Sequence, residues 1–289
     1  MVLWTFLGFI TVLGLSTIFG ADPYHSFWSN YERMEGMVTY LHLAALFLMA
    51  SSVFRTVSDW RLTLHISAVM SLLIAGYGFL ELMDVVAIPG STAGSTGLGI
   101  FSRLGNQIYL AAYLLFHFFL LGFLFFTLPP KQKFGSNTTN AHTSMVGGFT
   151  TRLTWLRIGY VLLGLFEFYV FLHTGTRGAL IGLVAGGAVF LITFFLFSLR
   201  ENKRLAVYAG GALVVGVTVV VCFYLVRDSA FVHKYQLLTR FADISITSST
   251  ATSRLMIWGI AKDAFEERPI FGWGPDNFII PYAKYYNPN

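Results

Sequence analysis

Seven stretches of about 20 residues, each almost free of charge, dominate this sequence: 1–20, 37–54, 62–83, 107–128, 156–175, 178–199 and 205–226. A run of that length matches the roughly 30 Å hydrocarbon core of a bilayer when it is helical. Helix is the only open conformation that satisfies every backbone N–H and C=O inside lipid. The pattern predicts an all-α polytopic membrane protein with about seven transmembrane helices. Only 11% of the residues are charged and 55% are hydrophobic, which excludes a soluble globular domain, where about 25% would be charged. The 29 Phe and 14 Tyr exclude disorder, and Cys222, the single cysteine, forms no internal disulfide. The first stretch lacks a basic leader segment and exceeds the 7–15 apolar residues of a signal peptide, so it is read as a span.

Lys and Arg orient the bundle, because short cytoplasmic loops carry an excess of them. One set of loops holds nine: Arg55, Arg61, Lys131, Lys133, Arg152, Arg157, Arg200, Lys203 and Arg204; the opposite set holds three: Arg33, Arg103 and Arg177. The first set is therefore read as cytoplasmic, and no span has to be inverted to satisfy the pattern. The net charge of +5 then reflects membrane topology and calls for no nucleic-acid partner. On the sixth span, Gly178, Gly182 and Gly186 form two overlapping GxxxG units on one face, the spacing that lets a neighbouring helix approach closely.

Past residue 226 the character changes. Residues 227–289 hold seven of the 19 Lys and Arg and no span, and are read as the start of an extracytoplasmic helical loop. Within it, 253–267 reads as an amphipathic helix lying against the outer membrane face. Leu255, Trp258, Ile260, Ala261, Ala264 and Phe265 recur near period 3.6, Ser253 is a candidate N-cap, and Pro269 follows. A tight Pro/Gly loop and an aromatic stretch come next. The domain reading is a seven-span bundle over 1–226 and an extracytoplasmic segment over 227–289.

Candidate functional residues are the outward arginines. Arg33 precedes the second span, Arg103 the fourth, Arg177 the sixth, and Arg254 opens the amphipathic helix. A helix N-terminus carries about half a positive charge and exposes unpaired N–H groups, so a cation there is unfavourable by a few tenths of a kcal/mol. An anion resolves the conflict, since helix end and guanidinium then act on one ligand. Singly, each arginine could snorkel to lipid headgroups, or pair with Glu32 or Glu35 in the case of Arg33. Four on one side, against the positive-inside bias, suit a multiply charged anion such as a lipid-linked diphosphate. Arg177 is the most constrained, because almost no loop separates the fifth and sixth spans. Asn106 is available as an N-cap for the fourth.

Glu167 lies mid-span, where an ionisable group costs about 2.5 to 3.5 kcal/mol on insertion scales. It either lines a polar cavity below the anion site or is held protonated or hydrogen-bonded. His42, His65 and His117 stand alone on apolar helices, a placement that suits helix-to-helix hydrogen bonds. No HExxH, CxxC or dense carboxylate cluster points to a metal, and Gly272-Trp273-Gly274 lacks the Lys-Ser/Thr of a phosphate-binding loop.

At these residues the sequence resembles the bacterial O-antigen ligase and polymerase family, integral membrane glycosyltransferases that move glycans off an undecaprenyl diphosphate carrier. Four patches carry the resemblance. They are Ser-Phe-Trp-Ser-Asn-Tyr-Glu-Arg-Met-Glu-Gly at 26–36, Arg-Leu-Gly-Asn at 103–106, Thr-Gly-Thr-Arg-Gly-Ala at 174–179, and Ser253-Arg254 through Trp258 to Pro-Ile-Phe-Gly-Trp-Gly-Pro-Asp-Asn-Phe at 269–278. The last two are the more specific. The resemblance implies a metal-independent, inverting transferase of surface polysaccharide or lipopolysaccharide biosynthesis, without cofactor, in the bacterial cytoplasmic membrane with its active face extracytoplasmic. Arg177 and Arg254, then Arg103 and Arg33, are the positions it marks for the donor diphosphate. The partners it implies are an undecaprenyl-diphosphate-linked glycan, a glycan, lipid or protein acceptor, and membrane lipids.

The sequence also departs from that family. The family's catalytic histidine follows the Gly-Trp-Gly-Pro region, and here it is expected beyond Asn289; His233 lies outside that motif. The chain is accordingly expected to be a fragment, inactive by itself and short of spans in front. Polymerase and protein O-oligosaccharyltransferase remain open within the family. A non-enzymatic lipid or polysaccharide transporter calls for broken helices paired at the midplane and inverted repeats, neither of which the sequence carries.

Overall fold

The computed structural model describes residues 2–31, 34–86, 98–128, 140–242 and 249–287; of 140–152, 236 and 249–251 the backbone alone is described. The described elements are helical: α1 (Val2–Phe19), α2 (Pro23–Trp28), α3 (Met37–Val53), α4 (Val57–Leu82), a 3-10 turn (Ser102–Leu104), α5 (Gln107–Thr127), α6 (Asn140–His173), α7 (Arg177–Glu201), α8 (Lys203–Val226), α9 (Ala230–Lys234), α10 (Gln236–Ala242), α11 (Ser249–Glu267) and α12 (Ile279–Tyr285). Six of them contain segments long and apolar enough to cross a membrane: α1, α4, α5, residues 153–173 of α6, α7 and α8. α3 has 17 residues and is the shorter apolar helix, rising about 26 Å, just under the hydrocarbon thickness. The all-helical membrane fold read from the seven apolar runs is thus present.

The chain divides into two compact units, one made of 1–60 with 245–289 and the other of 61–244. In the first, α1, α2 and α3 pack on one another, as do α11 and α12. Phe6 of α1 meets Phe47 of α3 at 4.5 Å between ring centroids, and the end of α1 touches the segment after α11 through Phe19 and Phe271, 4.8 Å apart.

In the second unit α5 is the central helix, packed on both α6 and α7, while α7 also pairs with α8. Its core is Ala75, Ile100, Leu110, Ala111, Leu114, Val170 and Phe171, with a smaller cluster of Ala68, Leu121 and Leu124. Small residues set the helix spacing. A Cβ built on Gly182 would lie 3.6 Å from Leu115, and one on Gly186 would lie 3.7 Å from Phe119, so the glycine face of α7 rests on α5.

Most other side chains of these helices remain exposed, and the broad apolar girdle is what lipid covers in a polytopic protein. Inside, the polar groups pair along α4: His65 Nδ1 with Tyr160 Oη at 2.7 Å, Ser67 Oγ with His117 Nε2 at 2.9 Å, and Ser71 Oγ with Glu167 Oε1 at 2.5 Å.

Candidate functional site

The second unit builds its polar end from two helix starts and one helix stop. Glu81, at the end of α4 and 2% exposed, accepts from the backbone N–H of Phe101 at 3.2 Å and of Ser102 at 2.7 Å. The Ser102 hydroxyl donates to Ile74 O at 2.9 Å. These bonds fold the 3-10 turn back over α4, leaving Arg103 exposed with its guanidinium 4.3 Å from the Tyr77 ring centroid. Asn106 then caps α5, its side chain accepting from Ile108 N at 2.8 Å, as its position in the sequence suggests.

The helix stop is the end of α6. His173 O accepts from Gly99 N at 2.9 Å, Thr174 is buried, and Gly175 adopts the left-handed conformation with φ +63°. Its N–H returns to Leu172 O at 3.1 Å, closing the helix. From α10, Arg240 Nε donates to Gly175 O at 2.8 Å. Thr176 is the N-cap of α7 but makes no side-chain cap bond, and its hydroxyl reaches Gln107 O at 3.4 Å instead. Half-buried Arg177 is the first residue of α7.

Two of the candidate arginines therefore come to the same end of this unit. Arg103 sits four residues before Gln107, Arg177 one residue after Thr176, and the Thr176–Gln107 hydrogen bond joins the two. The starts of α5 and α7 add their own positive potential and N–H groups, so this end can attract and bind an anion.

Arg33 and Arg254 are the remaining candidates. Arg33 falls outside the described residues, as do Lys131 and Lys133 of the basic loops. Arg254 belongs to the first unit and is exposed. It lies in the second turn of α11, because that helix starts at Ser249, ahead of the Ser253 cap expected from sequence. The Ser/Thr-rich segment before Arg254 is itself helical, which moves the helix N-terminus away from the guanidinium.

Glu167 is fully buried in the second unit. It borders a small space between α5, α6 and α7, otherwise lined by Leu114, Leu115, Phe118, Phe168, Phe171 and Leu183.

In the first unit the turn after α11 closes on the chain near α2. Asn277, 1% exposed, bonds to His25 Nδ1 at 2.9 Å, Ser26 Oγ at 2.8 Å, Trp273 O at 2.9 Å and Asp22 O at 3.1 Å. Ser29 Oγ donates to Asp276 Oδ2 at 2.6 Å, and Ser16 Oγ to Phe271 O at 2.6 Å. Residues 22–29 and 271–277, far apart in sequence, thus form one structure.

Three residues here were not singled out from sequence. Glu81 carried a usable signal, an acid inside the apolar run 62–83, as Glu167 is an acid inside 156–175. Arg240 and His25 carried none, because their roles exist only through partners 65 and 252 positions away.

Residues 158–289 match the family model described as O-Antigen ligase, a region that includes Glu167, Arg177, Arg240, Arg254 and the turn around Asn277. No protein of curated function and no solved structure matches the chain.

Proposed function

We propose that this chain, whose residues 158–289 belong to the O-antigen ligase family, is a membrane glycosyltransferase of polysaccharide biosynthesis whose donor is a glycan on a polyprenyl diphosphate. The observation that carries this reading is the placement of Arg103 and Arg177 near the adjoining starts of α5 and α7, at one end of the second unit. A diphosphate ester is the ligand whose charge and size suit two guanidinium groups and two helix ends.

In this reading that end faces the outside of the bacterial cytoplasmic membrane, as the nine-to-three distribution of loop cations supports. Residues 1–226 are the membrane bundle, and 227–289 begin the extracytoplasmic segment. Arg254 is carried as a further donor ligand on the family resemblance.

The reaction is a displacement at the anomeric carbon. An acceptor hydroxyl oxygen forms the new C–O bond while the bond to the diphosphate oxygen breaks, and that oxygen takes the electron pair. Negative charge on the diphosphate rises toward the transition state, where guanidinium hydrogen bonds of about 1.5–3 kcal/mol each strengthen. The acceptor hydroxyl gives up its proton to a general base, a role assigned to no residue of 1–289.

Replacement of Arg177 by Ala in the complete protein, made in cells, tests the reading. Glycan transfer from the polyprenyl donor is expected to fall at least a hundredfold with membrane insertion unchanged. Arg177→Lys, which keeps charge but loses the planar fork, should fall in between. Undiminished transfer by Arg177→Ala overturns it.

A further inference from the structure

Ser71 has one hydroxyl hydrogen and two short contacts that each require one. Its Oγ lies 2.8 Å from Ala68 O and 2.5 Å from Glu167 Oε1. A carbonyl oxygen cannot donate, so the Ala68 contact consumes the Ser71 hydrogen. The contact with Glu167 is then a hydrogen bond only if the carboxyl supplies the proton. Written with donors donating, the chain runs from Glu167 Oε1–H to Ser71 Oγ–H to Ala68 O.

The other oxygen leads to the same place. Oε2 is buried with no hydrogen-bond partner. An ionised carboxylate with one bare buried oxygen is far costlier than a neutral acid whose carbonyl oxygen lacks a donor. Nor is there a compensating cation: none of the ion pairs among the described residues involves Glu167. The neighbouring helices present Ser71 from α4, Tyr113 from α5 and Leu183 from α7, and the Tyr113 ring itself rests on His117 at 4.1 Å. Water offers no remedy, because the adjoining space is otherwise lined by apolar side chains, and a buried water needs two to four polar partners.

The geometry points to Glu167 as a proton-binding site within the membrane-spanning unit: it holds a proton at neutral pH and with it pins α6 to α4. The role belongs to the protein's own electrostatics and is independent of donor binding. Loss of the proton would draw the Ser71 hydrogen to Glu167 and strip it from Ala68 O. The direction of the hydrogen bond between the helices, and the bond of Ser71 to its own helix, are therefore proton-dependent.

Infrared spectroscopy of the full chain in phosphatidylcholine bilayers tests this, since the C=O stretch of a protonated carboxyl stands apart from carboxylate bands. At neutral pH the unaltered protein should show such a band, and Glu167→Gln should remove it. Ser71→Ala should keep the band but move it to higher frequency, because the O–H loses its acceptor. A band that is absent at neutral pH, or that survives Glu167→Gln, overturns the assignment. Should Glu167→Gln fail to accumulate in membranes, the Ser71→Ala protein decides alone: a shifted band supports the site and an unmoved or missing one refutes it.

Discussion

Asn277 donates through Nδ2 to Ser26 Oγ at 2.8 Å, across 251 positions of sequence. The orientation of the amide follows from its other neighbours: Asp22 O and Trp273 O only accept, so the NH₂ must face them and Oδ1 must face His25. His25 Nδ1 therefore carries a proton, and Nε2 is left facing Asp276 Oδ2 at 3.8 Å. Gly274, with φ +92°, lets the backbone pass so close to Ser26 that any Cβ would collide with its hydroxyl. The two segments are fitted to each other at backbone level.

Removing the amide should loosen this junction. Asn277→Ala leaves buried acceptors unpartnered and should cost about 1–3 kcal/mol. Asn277→Asp should cost more at neutral pH, because a carboxylate would face two carbonyls with no hydrogen to give. Thermal unfolding of the solubilised protein, followed by limited proteolysis near Trp273, checks both. An Asp variant more stable than the Ala variant at neutral pH would contradict the assigned amide orientation.

How far the sequence foretold this depends on how local the cause is. The apolar runs become helices because lipid leaves the backbone no alternative, so α7 and α8 begin and end within two residues of the expected spans. Asn106 caps α5 as read, since capping needs only the next two residues. The sequence puts Arg254 at a helix start, whereas α11 begins at Ser249, because a Ser/Thr run has weak propensity either way and its neighbours decide. Arg103 and Arg177 were legible as candidates one at a time. That their helix starts adjoin, through Thr176 and Gln107, depends on the packing of α5 against α7, and no single patch of sequence records that.

Between α11 and α12 a second tether is set by charge. Lys284 Nζ donates to Glu267 Oε2 at 2.6 Å, and Tyr285 Oη bonds to the same oxygen. The Lys284 hydrogen bond, then that of Tyr285, holds the Glu267 carboxyl below the ordinary carboxylate range, and the Glu267 bond holds Lys284 above the ordinary lysine range. The depressed acid contributes stability at pH above its unfolded value of about 4.3, lost as pH falls through its lowered folded pKa. The raised base contributes below its unfolded value of about 10.4, lost as pH rises through its raised folded pKa. The protection of α12 amides, taken as exchange relative to that of an unstructured chain at the same pH, should therefore be greatest between those limits and fall outside them. Lys284→Met should flatten the profile; an unchanged profile would show the tether to be idle.

Glu81 makes a comparable prediction for the second unit. Its carboxylate satisfies the N–H groups of Phe101 and Ser102 beneath the Arg103 turn. Glu81→Ala leaves them buried without that acceptor, about 1–3 kcal/mol each. Glu81→Gln keeps one oxygen and should cost less than Glu81→Ala. The fluorescence of a dye on Cys introduced at exposed Arg103, in a Cys222→Ser background, would report release of the turn in Glu81→Ala; a dye signal identical to that of the parent would rule out the supporting role.

Gly175 answers to two demands at once. Its φ of +63° costs a residue with a Cβ about 1–2 kcal/mol. That Cβ would also stand 3.0 Å from Arg240 Nε and 3.3 Å from its Cδ, closer than such atoms normally sit. Arg240 would have to withdraw from Gly175 O, weakening a charged hydrogen bond worth about 1.5–3 kcal/mol. Gly175→Ala should thus destabilise by about 2–4 kcal/mol in the parent protein. In an Arg240→Ala background only the backbone contribution remains, and the cost should drop to about 1–2 kcal/mol. The difference between the two is the coupling through which α10 holds the turn that presents Arg177. Equal costs in both backgrounds, measured by unfolding in detergent, would show that Arg240 does not restrain that turn.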